Sequence, residues 1–242
     1  VVNDLLTSHR EKLYLLIRAD GEEAAREKLW KGMQLHMTPE RFWRLLGRIE
    51  FIYGDLHAPK LGIDPKVYRK LTRRVDSVLH IAASLNRKSS KACLNTNLRG
   101  TLSVIQLARD IQDTSGLKRY SHVSTVAVAG KRDSEVVLED AAIEWERSDY
   151  DPYGRTKKFC EHMARELLPD VEKVFFRPSI VMGDSRFRET SQFDMVRAFC
   201  LLAQLPVIPL DPSGRLDIVN ADWVSHAIST LHMAKTTRHD IY

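Results

Sequence analysis

His122-Val-Ser124-Thr125-Val-Ala-Val-Ala-Gly130 is apolar and β-branched, and it carries two hydroxyls and closes on a glycine. It reads as a short buried strand over His122 to Val128. Ligands of open α/β sheets bind beyond the carboxyl ends of strands, so a hydroxyl placed there faces a binding crevice. Further along, Asp149-Tyr-Asp-Pro-Tyr153-Gly-Arg-Thr-Lys157 sets a phenol and an ammonium four residues apart. On a helix that spacing stacks the two on one face. A cation held close to a phenol favours phenolate, drawing a pKa of ~10 toward neutrality, where Tyr153 can pass a proton.

Working outward, apolar strand-like runs alternate with helix-length amphipathic segments. The strands are Leu13 to Ile17, Ile49 to Tyr53, Val75 to Ile81, His122 to Val128 and Val171 to Phe176. Such alternation predicts an α/β fold with a parallel sheet flanked by helices. Helices are expected over Gly21 to Gln34, from Thr38-Pro39 onward with a hydroxyl cap and proline in the first turn, and over Asn95 to Ile111. Gly54 to Pro65 reads as a loop leading into a short basic helix through Arg74. Lys131 to Pro152 carries eight acidic residues and little periodicity, which suits a surface loop over the mouth of the site. Ser185 to Pro212 breaks the alternation and reads as part of a smaller lobe.

Composition narrows the function. At 43% hydrophobic and 29% charged, a chain of 242 residues is long enough to bury one large core. It has no apolar run long enough to span a bilayer and no visible secretory signal. Three separated cysteines, Cys93, Cys160 and Cys200, make no metal or disulfide framework and suit a reducing cytoplasm. The net charge of +5 raises nucleic acid as a partner, but the cations are interleaved with acids, as in Arg10-Glu11-Lys12, so that reading is set aside. His57, His80, His122 and His162 lack the paired spacing that zinc requires. Trp30, Trp43, Trp145 and Trp223 read as packing residues, with Trp145 also placed in the acidic loop to meet a substrate chain. Tyr150 has no lysine four residues on and reads as packing or substrate contact.

The order of these segments resembles the extended short-chain dehydrogenase/reductase superfamily over nearly the whole chain. Val78-Leu-His-Ile-Ala82-Ala83 resembles its fourth strand, Asn97-Leu-Arg-Gly100-Thr101 its Asn-x-x-Gly-Thr helix, and Asp55-Leu56 its adenine-contacting pair. Glu161 and Arg177-Pro178-Ser179-Ile-Val-Met-Gly183 complete the pattern. The resemblance implies a Rossmann-type doubly wound sheet with a small C-terminal lobe. Residues 1–183 would form the dinucleotide-binding domain and 184–242 the start of the lobe, with about 216–235 returning to the first domain. It implies catalysis by Thr125 or Ser124 with Tyr153 and Lys157, the count back from Gly130 favouring Thr125, and bracing by Asn97. Cofactor contacts are implied for Asp55, Leu56, Ala82, Ala83, Asn97, Tyr153, Lys157, Pro178 and Ser179. The family's glycine-rich turn has no counterpart here, so the expectation is a fragment that opens within the first helix and stops, at Arg238 to Tyr242, in the start of a strand.

The residue ending the second strand of such folds selects the cofactor, an acid for a free ribose hydroxyl and arginine for a 2′-phosphate. Here it is Arg18, with Arg26 offering a second cation, so NADP is expected; Asp20, two residues on, is the argument for NAD. Leu-Tyr-Leu-Leu-Ile-Arg18-Ala-Asp with Ala24-Ala-Arg-Glu-Lys-Leu29 most resembles the thioester reductase and fatty acyl-CoA reductase branch. That implies an acyl thioester substrate, on coenzyme A or a carrier domain, reduced to aldehyde or alcohol. The alternatives are a nucleotide-sugar epimerase or dehydratase, or another NAD(P)-dependent carbonyl or alcohol oxidoreductase of the superfamily, and a non-catalytic dinucleotide sensor; Val126-Ala127, which offer no acid beside the hydroxyl, argue against the dehydratases.

Overall fold

Strands that pair run parallel because helices between them carry the chain back across the sheet. The computed structural model describes residues 1–132, 135–139, 142–190, 194–208 and 213–242. The chain opens with helix α1 (Val2–Ser8), strand β1 (Leu13–Ile17), helices α2 (Glu22–Met33) and α3 (Pro39–Leu46), and strand β2 (Ile49–Tyr53). Thr38 caps α3 with its side-chain oxygen, and Pro39 opens the helix, as its sequence predicts. A short 3-10 turn (Pro59–Gly62) leads to α4 (Pro65–Arg74) and β3 (Ser77–His80). One turn, α5 (Ser90–Ala92), passes through a π-helical stretch, Cys93–Arg99, into α6 (Gly100–Ser115). Then come β4 (Arg119–Val123), a 3-10 turn (Val126–Ala129), α7 (Pro152–Leu167), β5 (Lys173–Phe176), β6 (Ile180–Met182), α8 (Asp194–Ala203), β7 (Ile218–Asn220) and α9 (Ala221–Met233).

Three parallel sheets form among the described residues: β1 with β2, β3-β4-β5 in that order, and β6 with β7. Ile241 adds a parallel bridge to Phe175, in keeping with the strand expected at the end of the chain. β1 and β3 are not paired among the described residues, and the space between them is lined by Leu13 to Leu16 on one side and Val78 to Ala82 on the other. Helices cover both faces of the three-stranded sheet. The two-residue alternation of the strands sends Tyr120 and Phe175 to the side of α6 and α7, where they pack with Ile105, Ile111, Ala164 and Leu168. It sends Val174 and Phe176 to the side of α9, against Ile228. No helix of the described residues is long and apolar enough to cross a membrane.

Two boundaries differ from the sequence reading. The strand expected over His122 to Val128 lies at Arg119–Val123, and Val126–Ala129 forms a 3-10 turn instead. An apolar run does not distinguish strand from buried turn by periodicity. Here β5 ends at Phe176, and the Val126 N–H turns to the Pro178 carbonyl at 3.1 Å. The helix expected over Asn95 to Ile111 is α-helical only from Gly100, because its first turns widen into the π-helical stretch. Trp223, expected to pack, is 66% exposed. Residues 133–134 and 140–141 of the acidic loop, and 191–193 and 209–212 of the expected lobe, lie outside the described residues.

Arg119 was hidden from sequence reasoning, since a buried guanidinium is a poor strand opener unless it is fully paired. It donates to the carbonyls of Leu231, His232 and Ala234 at 2.8, 2.8 and 2.7 Å and to Glu172 at 2.5 Å. One side chain thereby satisfies the C-terminal carbonyls of α9 and ties that helix to β4. Arg119→Met is expected to lower unfolding free energy by about 2–4 kcal/mol, since it orphans those acceptors. Urea denaturation of the two proteins checks this, and a loss below about 0.5 kcal/mol contradicts it.

Candidate active site

Asp151 starts α7, its carboxylate accepting the Gly154 N–H at 2.8 Å, and so fixes where the helix face points. Tyr153, Lys157 and Glu161 then follow at four-residue spacing on one buried face, with 7%, 1% and 0% exposure. They face the carboxyl end of β4 and the segment just beyond it, Lys157 through the Val123 carbonyl, Glu161 through Ser124 and Tyr153 beside Thr125. Thr125 lies beside Tyr153 and draws its pKa down, and its oxygen accepts the Ala127 N–H at 3.3 Å, capping the 3-10 turn. Gly130 ends that turn at φ +74°, and a Cβ there would meet the Arg147 side chain at 2.9 Å. Glycine is needed there for the loop to fold back, with the Lys131 N–H reaching the Ser148 carbonyl at 2.8 Å.

Ser124 is turned elsewhere. Its hydroxyl donates to Glu161 Oε1 at 2.5 Å, and Glu161 is paired with Arg177 at 2.7 Å. The serine is therefore part of a buried ion-pair arrangement that joins β4 to α7, and the structure leaves Thr125 as the hydroxyl beside the phenol. Of the two hydroxyls the sequence left open, Ser124 is the one engaged by Glu161. Asn97 lies in the π-helical stretch, fully buried. Its amide oxygen accepts the Ser84 N–H at 2.7 Å, and its amide nitrogen donates to the Ser84 carbonyl at 3.3 Å and to Thr156 at 3.1 Å. The widened turn lets one side chain brace the loop after β3 against α7, a use typical of π-bulges near functional sites.

The electrostatics differ from the sequence expectation. Burial pushes the Tyr153 phenol above its ordinary pKa, and the cation that opposes this is Arg87, whose guanidinium lies 5.2 Å over the ring. Arg87 also pairs with Asp151 at 3.0 Å. Lys157 does not supply the expected pull: its ammonium donates to the Val123 carbonyl at 2.7 Å and faces His122 Nε2 at 3.4 Å. Burial lowers its own pKa. Arg87 was missed because nothing in Leu85-Asn-Arg87-Lys-Ser marks a loop residue that will return to α7.

Arg18 follows β1 with its side chain 76% exposed and its Nε 3.7 Å from Asp55 Oδ2. Asp55 is held below the usual carboxylate range, first by the His57 N–H at 2.9 Å. Gly54 precedes it, and a Cβ there would strike the Leu61 carbonyl at 2.4 Å, so the chain can pass only as glycine. Arg18, Asp55, Leu56 and Ala82 line the space between β1 and β3, while Ala83 follows on the adjoining loop. Pro178 and Ser179 connect β5 to β6 on the Thr125 side, Pro178 through its bond from Val126. Arg26 is not brought to this space. It pairs with Glu22 one turn earlier, lies over Trp43, and lines a separate depression with them, which corrects its placing beside Arg18. The second cation near Arg18 is instead Lys28, which donates to the Arg18 carbonyl at 3.1 Å.

Several acids of the 131–152 loop are engaged by cations of the loop itself or of α7. Glu135 and Glu144 bind Arg132 and Arg147, and Asp149 binds Lys158 and Arg155 at 2.8 and 2.9 Å. Trp145 packs on Phe159 and His162 of α7, with ring centroids 5.3 Å away in both cases.

A family model described as male sterility protein matches residues 1–228. The chain belongs to that family, among the NAD(P)-dependent reductases of the short-chain dehydrogenase/reductase superfamily. A putative fatty acyl-CoA reductase of Drosophila melanogaster is 29% identical over 252 residues, taking in 90% of this chain and 48% of that protein. A linear gramicidin synthase of Brevibacillus parabrevis is 29% identical over 240 residues, 97% of this chain and 5% of that protein. The solved terminal R domain from the myxalamid PKS-NRPS biosynthetic pathway matches with a TM-score of 0.85 at 25% identity, covering 99% of this chain and 59% of that one. A UDP-glucuronic acid 4-epimerase from Bacillus cereus shares the fold, with a TM-score of 0.61 at 20% identity. The chain thus spans less than two thirds of the length of the gramicidin synthase, the fly reductase and the R domain.

His80 faces Thr101 at 3.0 Å and its pKa is pulled down to about 3, chiefly by burial. His232 faces Ser121 at 2.8 Å and falls to about 4 for the same reason. Between the ordinary histidine value of 6.5 and these values, the unfolded chain binds protons that the folded chain does not. Stability is therefore expected to fall as pH drops below that ordinary value, by about 1.4 kcal/mol per pH unit for each imidazole. Urea denaturation at descending pH checks the slope, and His232→Gln should flatten it by about one proton. A stability unchanged from pH ~7 to ~5 contradicts it.

Proposed function

We propose that the chain is the NADPH-binding and catalytic part of a reductase that converts an acyl thioester, on coenzyme A or on a carrier domain, to an aldehyde or alcohol. The observation that carries this reading is the buried Tyr153 phenol beside Thr125, with Lys157 one turn further along the same helix face. The relatives that span most of the chain, a fatty acyl-CoA reductase and a terminal R domain, support the thioester as substrate. A thiolation-reductase di-domain of similar fold supports a carrier domain as partner.

The donor set suits a dinucleotide. An exposed guanidinium at the end of β1, a carboxylate at the end of β2 and a small residue at the end of β3 line one cleft. Arg18 would hold a 2′-phosphate, with Lys28 adding positive potential, which favours NADP over NAD. Asp55 and Leu56 would border the adenosine, Ala82 and Ala83 would allow close approach, and Pro178 and Ser179 would flank the nicotinamide end. Bound NADPH supplies hydride to a carbonyl carbon. Tyr153 then gives its proton to the oxyanion, with Thr125 donating to the same oxygen as charge develops; the resulting hemithioacetal loses its C–S bond, the hydroxyl proton leaving with the thiol, to give the aldehyde. A phenol raised by burial holds its proton until that moment, and Arg87 and Thr125 stabilise the phenolate left behind. Lys157 keeps its ammonium where the cofactor's ribose would lie, and Asn97 keeps α7 in register with the loop after β3. We place the cofactor domain at residues 1–183 and the start of the substrate lobe at 184–242, in a cytoplasmic protein.

The test follows NADPH oxidation by the full-length protein against acyl-CoA thioesters, carrier-bound thioesters and nucleotide sugars. Tyr153→Phe and Thr125→Val are expected to lower turnover about 100-fold or more with little change in NADPH affinity. Arg18→Ala should raise KM for NADPH about 10-fold while leaving NADH use unchanged. Hydride flow to nucleotide sugars alone, or full turnover by Tyr153→Phe, overturns the reading.

A further inference from the structure

An ammonium has three N–H bonds and no lone pair. Two of the three on Lys157 point to the Val123 carbonyl at 2.7 Å and to His122 Nε2 at 3.4 Å. The facing ring nitrogen must therefore be an acceptor, which puts the imidazole proton on Nδ1. That Nδ1 is buried and has no hydrogen-bond partner among the described residues. The ring is fully buried and enclosed by Tyr120, His80 and Phe175, at centroid distances of 6.3, 5.1 and 6.4 Å. Burial and the neighbouring ammonium both hold the ring neutral. A hydrocarbon side chain would fill the same space without orphaning a donor. What the imidazole adds is one lone pair, directed at Lys157.

We propose that His122 is a positioning residue for Lys157, its Nε2 lone pair and the Val123 carbonyl fixing two N–H bonds of the ammonium so that the third serves the cofactor. The activity part of this proposal rests on the reductase reading above; the cofactor-binding part needs only that Lys157 meets the dinucleotide. β4 sets the geometry, because successive residues point to opposite faces while their carbonyls lie in the sheet. His122 therefore meets α7 from the strand that leads into Thr125, and the ammonium and the hydroxyl are placed by one segment.

The test compares His122→Gln, which brings an amide oxygen near the Nε2 position, with His122→Asn, whose shorter side chain places its amide near Nδ1. Each full-length variant is checked by thermal melting, then by NADPH affinity from fluorescence quenching, and by kcat and KM for NADPH with an acyl thioester that the unmodified protein reduces. His122→Asn is expected to weaken NADPH binding several-fold and to lower kcat/KM about 10- to 100-fold, with His122→Gln within about 3-fold of the unmodified protein. Should the asparagine variant fail to fold, His122→Met, which fills the space with no comparable acceptor, takes its place in the comparison. Equal behaviour of the glutamine variant and its comparison overturns the proposal. If the unmodified protein binds NADPH but reduces no thioester, the reductase reading fails while the difference in NADPH affinity still decides the role of His122.

Discussion

A lysine ammonium at 1% exposure would shed its proton or leave the interior unless acceptors replaced its water, and Lys157 finds them on β4. The Val123 carbonyl is available because the pairing of β4 with β3 ends one residue earlier, at His122 with His80, while pairing with β5 continues. His122 reaches the same nitrogen because strand alternation turns it toward α7. Four residues before Lys157, Tyr153 is carried to the same place by helical geometry alone, and four residues after it Glu161 binds Ser124 and Arg177. The seam between β4 and α7 is thus held at three successive turns by buried polar contacts. Each costs desolvation, and each is matched by a specific partner on the strand, the turn after it or the segment following β5. The arrangement has one register, which is what an active site on two separate elements requires.

The same seam explains why the phenol is protonated at rest. The cation expected to acidify it is engaged by β4, and the guanidinium over the ring comes from the loop after β3. Asn97 fixes that loop through Ser84, and Asp151 fixes it through Arg87, so the electrostatics of Tyr153 depend on residues from three parts of the chain. None of the three is near it in the sequence except Asp151.

Much of the fold was legible because its signals are local. Strand and helix alternation, the Thr38-Pro39 start of α3 and the four-residue spacing of Tyr153 and Lys157 depend only on nearby residues. The misplaced parts depend on distant ones. The strand expected over His122 to Val128 moved because Arg119 is satisfied by α9, which follows more than a hundred residues later, and because β5 stops before Pro178. Ser124 and Thr125 are adjacent and alike, and only Glu161 and Tyr153 on the facing helix separate their roles. Arg26 was open to local correction, since Glu22 stands four residues before it, the spacing of a helical ion pair. Lys28 and Arg87 carried no such signal.

The central claim is hydride delivery to an acyl carbon above the Thr125–Tyr153 pair. It is tested most directly by incubating the full-length protein with an acyl thioester and NADPH deuterated at the transferable position, then weighing the aldehyde or alcohol formed. One deuterium on the former carbonyl carbon for each hydride added is the result expected here. A product without deuterium, or thioester loss by hydrolysis with NADPH unconsumed, would contradict the account.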